Sequence, residues 1–241
     1  MRGIETKEWT CVRQRAGPLV KECRYRRPRL MKGDLPGVRR EKNEIVRAIK
    51  NSCFRRTPAD RLELMLALMG RKASTYELTY APEFLPDDFK GVRRDWRNFL
   101  RALKRWRGEA FDYVYCIEGR HGDHRYHIHL VLRDRDFSPA EVGYLWPGGG
   151  ERTGAPLLAG PQDSFRRMAR YLTKERTDGI TVPIGARTWV ASRSLYAKLP
   201  APEVWRCGSG EITVPEGATV LTEDRKKNPF GECRYTVYLE P

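Results

Sequence analysis

The sequence predicts an α+β protein built round a central antiparallel β-sheet with flanking helices, and three stretches predict it. In 74 to 80, Tyr76, Leu78 and Tyr80 alternate with Thr75, Glu77 and Thr79, the period of a strand with one buried face. In 112 to 118 and 126 to 133, two strand-like runs flank the polar turn 119 to 125 and read as an antiparallel hairpin. Between them, Phe89, Val92, Trp96, Phe99, Leu100 and Leu103 fall at helical spacing with arginine and lysine on the opposite face. Asp87 or Asp88 can cap that helix, which runs to Trp106.

The other elements follow in chain order. Residues 1–36, with scattered Gly and Pro and a dense basic run from Lys21 to Lys32, read as a basic, partly disordered N-terminal segment. Residues 37–70 read as a basic helical region. Ile45, Val46, Ile49 and Cys53 mark one helix, and Thr57-Pro58 with Asp60 opens a second that Gly70 closes. The main domain spans 71–200 and adds a short helix from Pro139 to Trp146, a glycine loop at 148 to 150 and a helix over 162 to 176. That last helix turns Phe165, Met168, Ala169 and Leu172 inward. Short strands are expected at 188 to 191, 211 to 214, 219 to 221 and 234 to 239, so that 201–241 forms a β-rich extension.

Among 241 residues, 46 Lys and Arg stand against 31 Asp and Glu, a net charge of +15 that points to a polyanionic partner. About +10 of it lies in the first 60 residues. With 32% charged residues and only short apolar runs, neither a transmembrane span nor a secretory leader is expected, so a soluble protein with no membrane partner is. The six cysteines form no C-x-x-C pair; they read as reduced thiols, with Cys116 buried in a strand.

All four histidines, His121, His124, His127 and His129, lie within nine residues. His121 and His124 fall in the hairpin turn and read as polar surface residues. His127 and His129 are two apart in a strand and share one face, while Tyr126, Ile128, Leu130 and Leu132 share the other. Two imidazoles projecting from a buried strand need partners for their ring nitrogens, and a metal supplies one. Glu118, at the end of the preceding strand, can bring a carboxylate to that face and complete a two-His, one-carboxylate set. Downstream, Tyr171 lies about 110° from the centre of its helix's apolar stripe, at the edge of the buried face. Lys174 follows one turn later and can place an ammonium beside the phenolate or a phosphate.

Three motifs therefore stand in order: Tyr76-Glu77-Leu78-Thr79-Tyr80, then Glu118 with Arg125-Tyr126-His127-Ile128-His129, then Tyr171-Leu172-Thr173-Lys174. From 76 to 174 the chain resembles the HUH endonucleases, the rolling-circle replication initiators of small plasmids, bacteriophages and single-stranded DNA viruses. Two positions depart from that pattern: Glu77 stands where the first motif is usually neutral, and Tyr126 where a proline is common. Arg187 to Leu195 and Asn228-Pro-Phe-Gly231 resemble the tail of the bacterial phage and plasmid members.

The resemblance implies a sheet of the HUH endonuclease, ferredoxin-like or RRM-like type in 71–200. It implies a divalent ion, Mn²⁺ or Mg²⁺, on Glu118, His127 and His129, with Tyr171 attacking a phosphodiester to leave a 5′-phosphotyrosine and a free 3′-OH. Lys174 would help the phenol ionise. Arg120, Arg125, Arg187, Trp189 and Arg193 become candidate contacts to single-stranded DNA at a replication origin, by charge and stacking. No P-loop motif occurs, so a host helicase and polymerase are the expected partners, in the cytoplasm of a bacterial host. Termination would use Glu175, one turn beyond Tyr171, or a second protomer in a dimer. The rival readings are a single-tyrosine transposase of the same superfamily and a non-catalytic basic nucleic-acid-binding regulator.

Overall fold

The computed structural model describes residues 8–26, 36–53, 57–119, 125–133, 137–157, 164–173, 189–228 and 231–241. The chain divides into two compact units, one of Met1–Thr57 with Pro200–Pro241 and one of Pro58–Leu199. Among the described residues are two five-stranded antiparallel sheets and six α-helices, an α+β architecture compatible with a ferredoxin-like, HUH-type fold. No described helix is long and apolar enough to cross a membrane.

The 58–199 unit begins with α2 (Pro58–Met69) and β3 (Ser74–Tyr80). After a 3-10 turn come α3 (Phe89–Arg107), β4 (Tyr113–Glu118), β5 (His127–Leu132), α4 (Pro139–Leu145), β6 (Gly149–Pro156), α5 (Phe165–Tyr171), β7 (Trp189–Ala191) and α6 (Arg193–Ala197). The sheet order is β6-β3-β5-β4-β7, so the histidine strand β5 is central. Asp88 caps α3, its side chain accepting from the Gly91 N–H at 2.8 Å, and Gly108 in the left-handed region ends it. The two candidate caps named in the sequence were adjacent; the structure uses the second.

One face of this sheet carries the core. Tyr76 and Leu78 of β3 and Ile128, Leu130 and Leu132 of β5 pack with Val92, Trp96, Phe99 and Leu103 of α3. Phe99 is 1% exposed and its ring lies 5.3 Å from Trp146 and 5.7 Å from Trp96. Phe99→Ala is expected to cost about 3–5 kcal/mol, from lost burial and the cavity left between two indoles. Urea unfolding followed by tryptophan fluorescence measures it.

A buried carboxylate fastens the sheet's far edge. Asp112, just before β4, accepts from Lys198 Nζ at 2.6 Å and from the Ser194 hydroxyl at 2.6 Å. Burial pushes its pKa up, but the Lys198 and Ser194 hydrogen bonds, with the charges of Lys198 and Arg133, outweigh that, and the net shift is downward from 3.8. A depressed carboxylate stabilises the fold above its unfolded pKa and stops doing so as pH falls through the folded one. Asp112→Asn should therefore cost about 1 kcal/mol at neutral pH, held to that by the half-exposed lysine. Below about pH 4 the difference from the parent should shrink, which urea midpoints across pH would record.

The glycine run expected to be a loop at 148 to 150 instead starts β6, which pairs antiparallel with β3. A strand of this composition shows no period, and glycine serves it through close approach: a Cβ on Gly150 would lie 2.5 Å from Thr79 Oγ1.

In the other unit the structure departs furthest from the sequence reading. Within the segment expected to be partly disordered, β1 (Trp9–Ala16) and β2 (Leu19–Arg26) form a hairpin. With β8 (Glu203–Cys207), β9 (Thr219–Asn228) and β10 (Gly231–Leu239) they make a sheet of order β8-β1-β2-β10-β9. The two ends of the chain thus share one sheet, where separate segments 1–36 and 201–241 were expected. The basic run fits a strand because its carboxylates are interleaved: Glu22 is fully buried and paired to Arg13 and Arg24, both at 2.8 Å. The stretch 211 to 214, expected as a strand, is irregular. Helix α1 (Pro36–Cys53) lies on this sheet, with Ile45 and Ile49 against Val12, Cys23, Tyr25 and Cys233.

Of the cysteines read as reduced thiols, Cys11 and Cys207 are joined in a disulfide. The pairing of β1 with β8 sets Cys11 opposite Trp205, two residues from Cys207, a proximity that 196 residues of separation hide in the sequence. Cys23, Cys116 and Cys233 are free and buried, Cys116 in β4 as expected.

Candidate active site

On the face of β5 opposite the core lie His127 and His129. Register then selects their neighbours, because directly opposed residues of an antiparallel pair point to the same side. Glu118 of β4 stands opposite His127, and Cys116 opposite His129. On the other flank Glu77 of β3 stands opposite His129, which places a second carboxylate on this face.

The three expected ligands converge. Glu118 Oε2 is 3.0 Å from His127 Nε2 and Glu118 Oε1 is 3.3 Å from His129 Nε2, and one ligand atom from each of the three lies within 4.8 Å of the others. Glu118 and His129 are buried and His127 is half-buried. His127 Nδ1–H donates to the Arg125 carbonyl oxygen at 3.1 Å. Gly119, at φ +81°, allows the hairpin strands to close there; a Cβ on it would lie 2.6 Å from that same carbonyl oxygen.

That hydrogen bond decides what the site can hold. With the Nδ1 proton committed to a carbonyl, His127 Nε2 faces the Glu118 carboxylate either as an imidazolium donor or as a lone pair. The hydrogen bond to Glu118 raises the His127 pKa above 6.5, with burial opposing, and the Arg125 carbonyl and the charges of Glu118 and Glu77 adding to the rise. A lone pair facing a carboxylate requires a cation between them, and a second shell that orients the imidazole through its other nitrogen suits a metal ligand. The residues present therefore fit a divalent ion. Two imidazoles and a carboxylate also leave coordination positions for substrate oxygens.

Tyr171, the last residue of α5, places its hydroxyl 3.2 Å from His129 Nε2, and the two rings meet edge-on with centroids 5.1 Å apart. It is 41% exposed, consistent with a place at the edge of the helix's buried face. Phe165 and Ala169 are buried and Ser164 caps the helix through the Arg167 N–H. Helix α5 is pinned to α2, where Arg166 pairs with Asp60 and, at 3.3 Å, with Glu63, both buried carboxylates. Sequence reading assigned α2 to a separate basic region. It belongs to this unit because nearly every one of its side chains is buried, and two of its acids hold the helix that carries Tyr171.

The remaining candidates divide. Arg125 is exposed beside the site and contributes its carbonyl as well as its charge. Trp189 of β7 stands opposite Cys116, so it shares the site's face, but its ring is buried and stacked on Tyr196 at 6.2 Å. Arg193 is exposed at the start of α6. Lys174, Glu175, Arg120, Arg187, His121 and His124 lie outside the described residues. The sequence reading missed two features: the Arg166–Asp60–Glu63 anchor, and the placement of Glu77 on the histidine face. Only Glu77 carried a signal, as a charge at an otherwise apolar and Thr-rich strand centre.

No curated protein and no solved structure matches the chain. Residues 74–176, the segment that holds β3, the histidine hairpin and Tyr171, match the family model of the ORF2-type replication-associated proteins, which supports placing the chain with rolling-circle replication initiators.

Proposed function

We propose that the protein is a metal-dependent, sequence-specific endonuclease and strand transferase that initiates rolling-circle replication by nicking single-stranded DNA. The observation that carries this is the Tyr171 hydroxyl at hydrogen-bond distance from His129 Nε2, within the Glu118–His127–His129 cluster. A tyrosine so placed puts its oxygen beside any phosphate that shares the cluster. A non-catalytic regulator accounts for the positive charge but gives this arrangement no work.

Glu118, His127 and His129 would hold a divalent ion, Mn²⁺ or Mg²⁺, which when bound supplies charge neutralisation at the phosphate oxygens. Tyr171 Oη attacks phosphorus; a phosphorus–oxygen bond to tyrosine forms, the bond to the 3′ oxygen breaks, and the phenolic proton is balanced by the proton taken up at the released 3′-OH. The phosphodiester energy is retained for rejoining, and the 3′-OH can prime a polymerase. Lys174 is proposed to favour the phenolate, and Arg120, Arg125, Arg187, Trp189 and Arg193 to contact the strand. The setting proposed is an origin in the cytoplasm of a bacterial host, with host helicase and polymerase as partners and either Glu175 or a second protomer ending the cycle.

The test is incubation of the full chain with Mn²⁺ and a pool of 3′-end-labelled single-stranded DNA of randomised sequence. A labelled species that migrates with the protein under denaturing conditions is expected, because the tyrosine retains the 5′ end of the downstream fragment. Its absence with every metal tried, alongside intact DNA binding, would favour the regulator.

A further inference from the structure

The nicking chemistry uses one face of the 58–199 sheet. Helix α3 covers the other, so its outer surface faces away from Tyr171, with roughly 15 Å of sheet and helix between them. On that surface Lys90, Arg93, Arg97, Arg101, Lys104 and Arg105 are all exposed. At 100° per residue they fall within an arc of about 120°, centred about 140° from the buried stripe of Val92, Trp96, Phe99 and Leu103.

Among the described residues, no carboxylate pairs with any of these six. The neighbouring acids are taken elsewhere, Asp95 by Arg94 at 3.5 Å and Glu109 by Arg107 at 3.2 Å. Arg93, Arg97, Arg101 and Arg105 follow one another at four-residue spacing, where like charges work against a helix. A merely solvated helix face mixes signs and gains from i, i+4 pairs; this one has a single sign.

The guanidinium groups are also ordered. Arg97 Nε donates to the Arg93 carbonyl at 3.2 Å, Arg101 Nε to the Arg97 carbonyl at 3.4 Å, and Arg101 Nη2 to Asn98 Oδ1 at 2.6 Å. A groove of about 500 Å³ continues the row, lined by Asn98, Arg101, Lys104, Arg105 and Gly108. From Arg93 to Arg105 the row is about 18 Å long, roughly five phosphate intervals of one strand. The exposed Trp106 lies about 160° from the centre of the arc, its Nε1 donating to Glu141 at 2.7 Å, so it offers no stacking platform there. Ordered charge without stacking suits the backbone of a duplex better than the splayed bases of a single strand.

We propose that the outer face of α3 binds double-stranded DNA through its phosphates, and that it holds the duplex adjoining the single strand delivered to Tyr171. The second half of that statement rests on the nicking reading; the first half does not.

The experiment compares the parent with a variant carrying Arg93→Gln, Arg97→Gln, Arg101→Gln and Arg105→Gln, glutamine being as good a helix former as arginine. Two probes are used, a duplex of about 30 base pairs and a short single strand that the parent nicks. For the variant, duplex affinity should fall at least about tenfold near 0.1 M salt, and the slope of log K against log salt should flatten by about 3 to 4. Adduct formation on the short single strand should stay within about twofold of the parent. Unchanged duplex affinity and slope would overturn the proposal and leave the face to an acidic protein. Loss of adduct formation on the short strand would overturn it too, by assigning the face to the scissile strand. If neither protein forms an adduct but duplex binding still falls, the nicking reading fails and the duplex surface stands. Should the fourfold variant not fold, Arg97→Gln and Arg101→Gln separately should each flatten the slope by about one, and no change in either would overturn the proposal.

Discussion

Tyr171→Phe is expected to eliminate strand cleavage and the covalent adduct, a loss of about 10⁴-fold or more, since removing a nucleophile leaves only the background from binding and electrostatics. The substitution deletes one oxygen. Its hydrogen bond to His129 is partly exposed and contributes about 1 kcal/mol or less, so the melting temperature should move by no more than a few degrees. DNA affinity should stay within about twofold, because charge and not the phenol supplies most of it. Single-turnover cleavage with a parallel binding titration separates the two effects. Cleavage that persists in Tyr171→Phe would move the nucleophile to another residue and remove the main support for the proposed mechanism.

His127→Ala and His129→Ala are each expected to weaken Mn²⁺ binding by at least about 100-fold, since losing even an outer-shell partner of a metal ligand costs 10–100-fold. Calorimetric titration of Mn²⁺ into the protein reads this without any reference to activity. Cleavage should fall with it and recover only in part at high Mn²⁺, because Tyr171 is intact while the site is two-thirds complete. The two variants should differ in one respect. His129 Nε2 touches both Glu118 and Tyr171, whereas His127 is bonded to Glu118 and the Arg125 carbonyl, so His129→Ala also frees the nucleophile's hydroxyl and should be harder to rescue. Full cleavage in EDTA would refute the metal assignment for both.

Much of the 58–199 unit was legible in the sequence because its signals are local. The stripe of α3, the alternation of β3 and the H-x-H parity of β5 each follow from the periodicity of a single element, and parity alone puts His127 and His129 on one face. Glu118 was reachable from the same logic, since a tight hairpin brings the end of one strand opposite the start of the next. Tyr171 needed more. Its position on α5 is local, but its approach to His129 depends on Arg166 finding Asp60 and Glu63 about a hundred residues away, and no spacing rule announces such a contact.

The other unit was decided by tertiary structure. Strands β1 and β2 carry so many arginines that composition argues for a solvated segment; they are stable because Glu22 and Glu232 are buried among those arginines and because β8 and β10, from the far end of the chain, complete the sheet. The Cys11–Cys207 bond and the strand made from the glycine run at 149 have the same origin, a neighbour supplied from elsewhere in the chain. What the sequence determined by itself was therefore the face on which each chemical group stands, which a single period sets. The tertiary structure decided which faces meet, because ion pairs and strand neighbours between distant segments leave no periodic trace in either one.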